Sequence, residues 1–244
     1  MKIMLSQSFS IADENPIELS KDKTALNTIA AKESATSDCN MWLPHAAKVY
    51  NISASLRDYV LVPVPVLITG YPNTNGDSLS LVELLRFDVK HGRQAFKTFK
   101  GKPTYLEHDN QNPVNARGVI LDSMLRPLQG FAGNKHYKLV LLLAFDRTKD
   151  PSLCRDILSK RSNAYSLGFL FNAYTCSYCG KRVAGNDVLN VCQHTAPNKK
   201  TYELNGRLVY RQCHNATGFE TSAVESPAYA IAIQPKFIDV GTYA

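Results

Sequence analysis

Several features that mark large classes of protein are missing from this chain of 244 residues. The longest apolar run, Val60 to Gly70, is interrupted by Pro63 and Pro65 and is far shorter than the ~20 residues that span a bilayer. The first ten residues contain one lysine and no sustained apolar stretch, which argues against a secretory signal. No glycine-rich phosphate loop and no internal repeat is found. We therefore expect a protein of reducing, cytoplasmic surroundings that neither spans a membrane nor contains a nucleotide-binding phosphate loop.

The cysteines of this chain indicate a function more clearly than its charges do. An apolar content of 44% excludes a disordered chain. Four of the six cysteines lie between Cys176 and Cys213, and clustered cysteines in a reducing compartment indicate a metal site rather than disulfides. The 28 basic residues outnumber the 21 acidic ones, but they are spread along the sequence, so a mildly basic exterior is favoured over a dedicated nucleic-acid surface.

The texture of the sequence changes near residue 50. Residues 6–38 are polar, and their isolated apolar residues have no sustained period, so residues 1–50 are predicted to form a partly flexible arm. From Tyr59 to the C-terminus, short β-type stretches alternate with two or three helices, one of them expected from about Ser78 to Phe99. Residues 51–244 are therefore predicted to form one α+β domain, a β-barrel or sandwich with helices around it.

A cysteine and histidine pattern predicts a metal site. Cys176 and Cys179 form a CxxC turn followed by glycine and lysine, as in a zinc knuckle. Cys192 and His194 follow, and side chains two residues apart on an extended segment can face the same ion. A Cys3His set leaves no open position, which indicates a structural Zn²⁺ that staples residues 175–218. Two neighbouring residues compete for places in this set, Cys213 and His214.

Three polar residues outside that loop are candidates for catalysis. His108 lies where a β-type stretch gives way to a polar turn, a suitable place for a general base. Ser166 lies in a small and aromatic strand context, with Gly168 two residues on, where a substrate or another backbone can come close. Glu220 lies beside Phe219 on an apolar strand and would need a partner if buried. A serine activated by a histidine that a carboxylate orients is the general nucleophile arrangement.

These segments occur in an informative order. Tyr-Leu-Glu-His108 is followed by Ala-Tyr-Ser166-Leu-Gly-Phe and then by Phe-Glu220-Thr-Ser-Ala-Val-Glu-Ser-Pro-Ala. Over roughly residues 60–235, this order resembles that of the prohead maturation proteases of tailed bacteriophages, which are distant relatives of herpesvirus assemblin. Several large-phage members resemble this chain further in having a CxxC and Cys-x-His insertion between the last two segments.

The resemblance implies a fold, an activity and a place of action. The fold would be a small, mostly antiparallel β-barrel surrounded by helices, with the zinc-stapled loop as an insertion. The activity would be that of a serine endopeptidase that cleaves scaffold and capsid proteins, and itself, inside the immature phage head in the host cytoplasm. Ser166 matches the nucleophile, His108 the general base and Glu220 the third member. A homo-oligomer is compatible with this family, and neither a membrane nor nucleic acid is expected as a partner.

Alternatives remain at two levels. The third catalytic member is Glu220 or a residue near it, because some members have an acidic residue where this chain has Ser222, Glu225 is also available, and herpesvirus enzymes use a second histidine. For the whole chain, the alternatives are a zinc-ribbon nucleic-acid-binding protein and a catalytically inactive head or scaffold protein. The first of these rests on basic residues in the zinc loop: Lys181, Arg182, Lys199, Lys200, Arg207 and Arg211.

Overall fold

The computed structural model describes residues 3–10, 17–18, 35–128, 136–185, 187, 189–196 and 200–224. The strands are β1 (Ile3–Ser10), β2 (Ile17–Glu18), β3 (Tyr59–Ile68), β4 (Asp77–Ser78), β5 (Phe87–Asp88), β6 (Arg93–Gln94), β7 (Pro103–Leu106), β8 (Gly118–Pro127), β9 (Tyr137–Asp146), β10 (Ala164–Phe171), β11 (Ala173–Cys176), β12 (Arg182–Ala184), β13 (Tyr202–Leu204), β14 (Arg207–Val209), β15 (Arg211–His214) and β16 (Thr217–Val224). The α-helices are α1 (Ala35–Tyr50), α2 (Leu81–Leu85) and α3 (Pro151–Leu158). Short 3-10 helices span Leu56–Asp58, Ala95–Phe99, Pro113–Asn115 and Gln193–Thr195.

One curled sheet of eight strands organises the fold. Its order is β1-β10-β16-β7-β8-β9-β3-β2, and every neighbouring pair is antiparallel except β16 and β7. The curl brings β1 close to β3. Within the described residues the edge strands β1 and β2 do not pair with each other, so the sheet forms a half-barrel and not the closed barrel that the resemblance implies.

Alternation along the strands divides the core between the two faces of this sheet. On β3, Val60, Val62, Val64 and Val66 belong to the larger cluster inside the curl, whereas Tyr59 and Leu61 belong to a smaller cluster on the other face. This period of two is what a strand buried on both sides requires. Each such side chain stabilises the fold by about 1.5–3 kcal/mol when fully buried. The larger cluster includes four residues of β10: Tyr165, Leu167, Phe169 and Phe171.

Two prolines within β3 constrain how this strand is paired. Pro63 and Pro65 pair with β9, but β2 on the other side reaches only Val60 and Leu61. The register shifts between Pro65 and Leu67, which is a bulge. A proline lacks the N–H that a second neighbouring strand would need, so both lie where β3 is paired on one side within the described residues.

The predicted long helix from about Ser78 to Phe99 is wrong. Its start, Asp77–Ser78, is strand β4, Ser80 caps the short helix α2, and β5 and β6 form a hairpin before the 3-10 helix at Ala95–Phe99. The Asp88 carboxylate accepts a hydrogen bond from the His91 amide at 2.9 Å, and Gly92 has φ of +62°. This turn competes with helical hydrogen bonding, so apolar residues at helical spacing end up in two different elements.

Helix α1 covers the other face of the sheet. Cys39, Leu43 and Ala47 recur at helical spacing and are buried in the smaller cluster. Pro44 lies inside this helix. Because proline disfavours a helix interior, local propensity does not predict a helix here. The predicted flexible arm of residues 1–50 falls in part outside the described residues and stays a prediction.

A second sheet takes three of its four strands from the chain segment between β10 and β16. Its order is β12-β11-β15-β4, with β4 parallel to β15. The Asp77 carboxylate on β4 is fully buried and lies 2.7 Å from Nε of Arg211 on β15. This ion pair joins the insertion to the segment that follows β3. No helix in the described part of the chain is long and apolar enough to cross a membrane.

Candidate active site

Two neighbouring strands and the turn after a third position the candidate catalytic residues. Ser166 on β10 lies directly opposite Ser222 on β16, and Gly168 lies opposite Glu220. On its other side β16 pairs with β7, where Tyr105 is level with Ser222. Because Tyr165 and Leu167 face the larger core, alternation places Ser166 and Gly168 on the opposite face of β10. Ser166 and Glu220, far apart in sequence, thus lie on adjacent strands, and His108 lies in the turn directly after the next strand, β7.

A turn with unusual backbone angles positions His108. Glu107 and His108 have φ of +49° and +57°, in the left-handed region that non-glycine residues seldom adopt. The Glu107 amide donates to the Ala223 carbonyl at 2.9 Å, which ties the start of this turn to β16 just after β7 ends at Leu106. The turn directs the imidazole back toward β16, and such backbone strain occurs most often at functional sites.

His108 and Glu220 form a contact within the sheet. His108 Nδ1 lies 3.3 Å from Glu220 Oε1, and the Glu220 side chain is fully buried whereas that of His108 is 34% exposed. The hydrogen bond to Glu220 raises the pKa of His108 above its usual value, and partial burial of the ring opposes this. The structure therefore brings these two candidates together.

Ser222 holds the second oxygen of this carboxylate. Its Oγ donates a hydrogen bond of 2.6 Å to Glu220 Oε2. A buried carboxylate is stable only if its oxygens are hydrogen-bonded, and here both have partners. Ser222, which the sequence offers as a competing third member, thus supports Glu220. Glu225 lies outside the described residues.

Ser166 is close to this pair in the sheet but is not hydrogen-bonded to it. Its side chain is completely buried, and Oγ has no hydrogen-bond partner. A buried hydroxyl without a partner is unusual, because its desolvation is not offset by a hydrogen bond. Ser166 therefore has a hydroxyl without a hydrogen-bond partner, and it lies two residues from Gly168, which is opposite Glu220.

Sequence reasoning missed two features of this site. A Cβ at position 168 would lie 2.4 Å from Glu220 Oε1, so the group that approaches Gly168 is this carboxylate and not the substrate or backbone expected. Tyr105 was also not singled out, although burial, together with Tyr50, Glu220 and Asp109, raises its pKa to about 12. The signal for Ser222 was present, because Glu220 and Ser222 are two residues apart on one strand and share a face.

The metal-ligand candidates converge as one group. The ligand atoms of Cys176, Cys179, Cys192 and His194 all lie within 4.8 Å of one another. The Gly180 amide donates to the Cys176 carbonyl at 2.9 Å with φ of +73° at Gly180, which closes the CxxC turn. Three thiols and an imidazole in this arrangement could hold a metal ion.

Burial and mutual hydrogen bonds shift the pKa values of two of these thiols. Burial raises the pKa of Cys176 to about 11. For Cys192, burial acts in the same direction, but hydrogen bonds from Cys179 and His194 outweigh it and lower the pKa to about 6. One member of the group is therefore disposed to be a thiolate, which is the form that binds metal.

The competing ligands lie elsewhere. Cys213 Sγ is fully buried and lies 3.7 Å from Asp77 Oδ1. His214 Nε2 lies 2.8 Å from Thr175 Oγ1. Arg211, one of the basic residues that suggested nucleic acid, pairs with Asp77, and Arg207 lies over the ring of Tyr178.

Comparisons with known proteins give a likeness in structure but none in sequence. No protein-family profile and no curated protein matches the chain. Among solved structures, the bacteriophage T4 capsid assembly protease is similar, with 16% sequence identity, a TM-score of 0.38, and coverage of 68% of this chain and 81% of that one.

Proposed function

We propose that this chain is a serine endopeptidase in which Ser166 is the nucleophile, His108 the general base and Glu220 the residue that orients His108. The observation that carries the proposal is the contact between His108 and Glu220, because Glu220 lies on the strand that pairs with the strand of Ser166. With one oxygen at His108 and the other on Ser222, the carboxylate holds Nδ1 of the ring. Nε2 is then left to act on a serine hydroxyl.

The reaction follows from these positions. As Ser166 Oγ attacks the substrate carbonyl, its proton passes to His108 Nε2, and Glu220 stabilises the imidazolium that forms. The same proton is then donated to the leaving amine, which departs as the acyl-enzyme forms. Water, deprotonated by His108, hydrolyses the ester and restores Ser166. Backbone amides would stabilise the oxyanion, since it needs donors fixed where charge develops.

The burial of Ser166 adds a requirement. A hydroxyl with no exposed surface cannot reach a peptide bond, so the described conformation is a closed one. Activity then needs a movement that exposes Ser166 Oγ and brings it within about 2.6–3.2 Å of His108 Nε2. A closed form of this kind suits an enzyme that is switched on once.

The resemblance of the sequence to prohead maturation proteases supplies the substrate class. We propose that the substrates are scaffold and capsid proteins and the chain itself, cleaved inside the immature phage head. A closed nucleophile fits that task, because the enzyme must coexist with its substrates until assembly is complete.

We assign Zn²⁺ to the group of three cysteines and one histidine. Thiolates and imidazole are the ligands of structural zinc, and four protein ligands leave no position for water or substrate. These residues would fasten the insertion between β10 and β16. No catalytic step involves the ion.

Covalent labelling tests the nucleophile. Purified chain is incubated with a fluorophosphonate, which reacts with activated serines, and its intact mass is followed with time together with any self-cleavage. Because Ser166 is buried in the closed form, we expect a single adduct at Ser166 that appears only as the closed form opens, and loss of both adduct and cleavage in Ser166→Ala. A matched control is Ser123→Ala on β8, since Ser123 is also fully buried with an unpartnered Oγ. Unchanged cleavage in Ser166→Ala, or equal effects of the two variants, would refute the assignment.

A further inference from the structure

An exposed apolar surface lies on α2 and the hairpin that follows it. Four large apolar side chains within eight residues are exposed: Val82 by 81%, Leu85 by 43%, Phe87 by 59% and Val89 by 86%. Val82 and Leu85 are three residues apart on α2 and so share a side of that helix, and Phe87 and Val89 follow on β5 and in the turn directly after it. We call these four residues, together with Lys90 and Arg93, the hairpin surface. Single exposed apolar residues are ordinary, but a contiguous group marks an interaction site.

The charge on this surface has one sign. Between residues 81 and 100, both acidic residues are buried and used internally. Glu83 accepts hydrogen bonds from Arg86 and from the Ala216 amide, and Asp88 accepts from His91. The exposed charged residues are Lys90 and Arg93, both basic. A partner therefore meets apolar groups bordered by positive charge, with no exposed carboxylate in this segment.

A cleft adjoins the hairpin surface through Arg93. It has a volume of about 470 Å³ and is lined by Trp42, His45, Val49, Tyr50, Arg93 and Lys100, among others. The indole Nε1 of Trp42 is buried and has no hydrogen-bond partner, a donor left unsatisfied. The walls of the cleft thus combine aromatic faces, two basic side chains and a donor without an acceptor. These groups suit a ligand that has a carboxylate on an apolar stem.

We infer that the hairpin surface and the cleft form one docking site for an acidic, apolar-anchored segment of a partner protein. A second copy of this chain fits poorly, because a twofold contact joins the same surface of both copies, and Lys90 and Arg93 would then meet a segment with no exposed carboxylate. Nucleic acid also fits poorly, because four exposed aliphatic or aromatic side chains add nothing to phosphate binding. The inference is independent of peptide hydrolysis and of the assignment of Ser166.

Binding of designed peptides to the full chain tests the site. The probe is a fluorescent peptide of about 18 residues with Leu at helical spacing and Glu on its remaining positions. One comparison peptide has Gln for every Glu, and another has Ser for every Leu. By fluorescence anisotropy we expect the acidic leucine peptide to bind, and each comparison peptide to bind at least about tenfold more weakly.

Variants locate the interaction. Val82→Ser/Val89→Ser and Lys90→Glu/Arg93→Glu should each weaken binding about tenfold, with unchanged thermal unfolding because all four side chains are exposed. Leu158→Ser/Lys160→Glu at the end of α3 is the matched control, since it changes one exposed apolar and one exposed basic residue on another element. Three outcomes would overturn the inference: no binding of the acidic peptide, equal loss in the control, or equal competition by a thymidine oligonucleotide. Self-association in sedimentation that Val82→Ser/Val89→Ser abolishes would assign the surface to a second copy instead.

Discussion

Gly168 is the position at which the candidate site is most tightly packed. A Cβ there would lie 2.4 Å from Glu220 Oε1 and 2.9 Å from Cγ. The carboxylate has little freedom to retreat, since it is held by His108 and Ser222. We expect Gly168→Ala to lower the free energy of unfolding by about 1–3 kcal/mol, measured by chemical denaturation, and to displace His108.

A double-mutant cycle identifies the source of that strain. In a Glu220→Ala background the carboxylate is absent, so Gly168→Ala should lower the free energy of unfolding by clearly less than it does in the native sequence. Equal losses in the two backgrounds would mean that the alanine methyl group clashes with something else.

His108 gives the site a predictable pH dependence. Its pKa is raised by Glu220, so the protonated ring stabilises the fold fully below the unfolded value of about 6.5. That contribution disappears as pH rises through the higher, folded pKa, and the neutral ring needed for a general base appears over the same range. Proton NMR of the full chain should show a His108 midpoint above about 6.5 that falls in Glu220→Gln.

The matched signal is His214, whose pKa is lowered by burial and by Arg182 and not through Glu220. Its midpoint should be the same in both proteins. A His108 midpoint that does not move in Glu220→Gln would show that the 3.3 Å contact does not persist in solution.

At the level of side chains, the sequence predicted residue types better than their contacts. The suitability of Ser166, His108 and Glu220 for catalysis follows from chemistry, but whether they meet depends on strand pairing that no local pattern contains. The role of Gly168 was mistaken for this reason, because the partner that approaches it is 52 positions away in sequence, at Glu220.

Helix α2 acts as a clamp on the turn between β15 and β16. Glu83 Oε1 accepts from the Ala216 amide at 2.8 Å and from Arg86 Nε at 2.9 Å, and Arg86 Nη2 donates to the Ala216 carbonyl at 2.9 Å. Arg86→Ala leaves the buried Glu83 carboxylate with one partner fewer. We expect a loss of about 1–3 kcal/mol in the free energy of unfolding by urea titration.

Arg93→Ala is the comparison for this clamp, because Arg93 is exposed on β6 of the same hairpin. Its effect should stay within about 0.5 kcal/mol. If the two arginine variants destabilised the protein equally, the turn would not depend on α2.

Elements were predictable where a local signal decided them. An N-capping Asp150 followed by Pro151 is such a signal, and α3 begins there, with the Asp150 carboxylate accepting from the Leu153 amide at 2.9 Å. The helix predicted to Phe99 failed because the turn at Asp88 and Gly92 overrides apolar spacing. Helix α1 was missed because its stability comes from packing on the sheet, and Pro44 lowers its intrinsic propensity.

Removal of the metal should lower the stability of the protein, and any loss of proteolysis should follow from that loss of stability. We expect about one zinc per chain by elemental analysis, and a lower thermal midpoint after chelation. Cys179→Ser should lose the metal, whereas Cys213→Ser should retain it, because Cys213 lies against Asp77 outside the group. Chelation that abolished proteolysis with an unchanged thermal midpoint would contradict a structural role and indicate a catalytic metal.

The arrangement of the sheet could be anticipated only in outline. An α+β fold with many strands follows from the sequence, and the insertion between β10 and β16 follows from its cysteines. The order β10-β16-β7, with a parallel pair inside an otherwise antiparallel sheet, is a property of tertiary assembly. That order brings together Ser166 on β10, Glu220 on β16 and His108 just after β7. The candidate site was therefore the part of the fold that local sequence patterns could predict least.

The insertion also has a bearing on how fast the protein folds. Residues 172–216 separate β10 from β16, so the pairing of Ser166 with Ser222 must close a long loop. Closure entropy grows with the logarithm of loop length, by about 0.6 kcal/mol for each doubling. An ion held by Cys176, Cys179, Cys192 and His194 would shorten this loop before the strands meet. We expect zinc to speed refolding in stopped-flow fluorescence, so that a chain made under zinc limitation would expose its unpaired strands for longer and aggregate more.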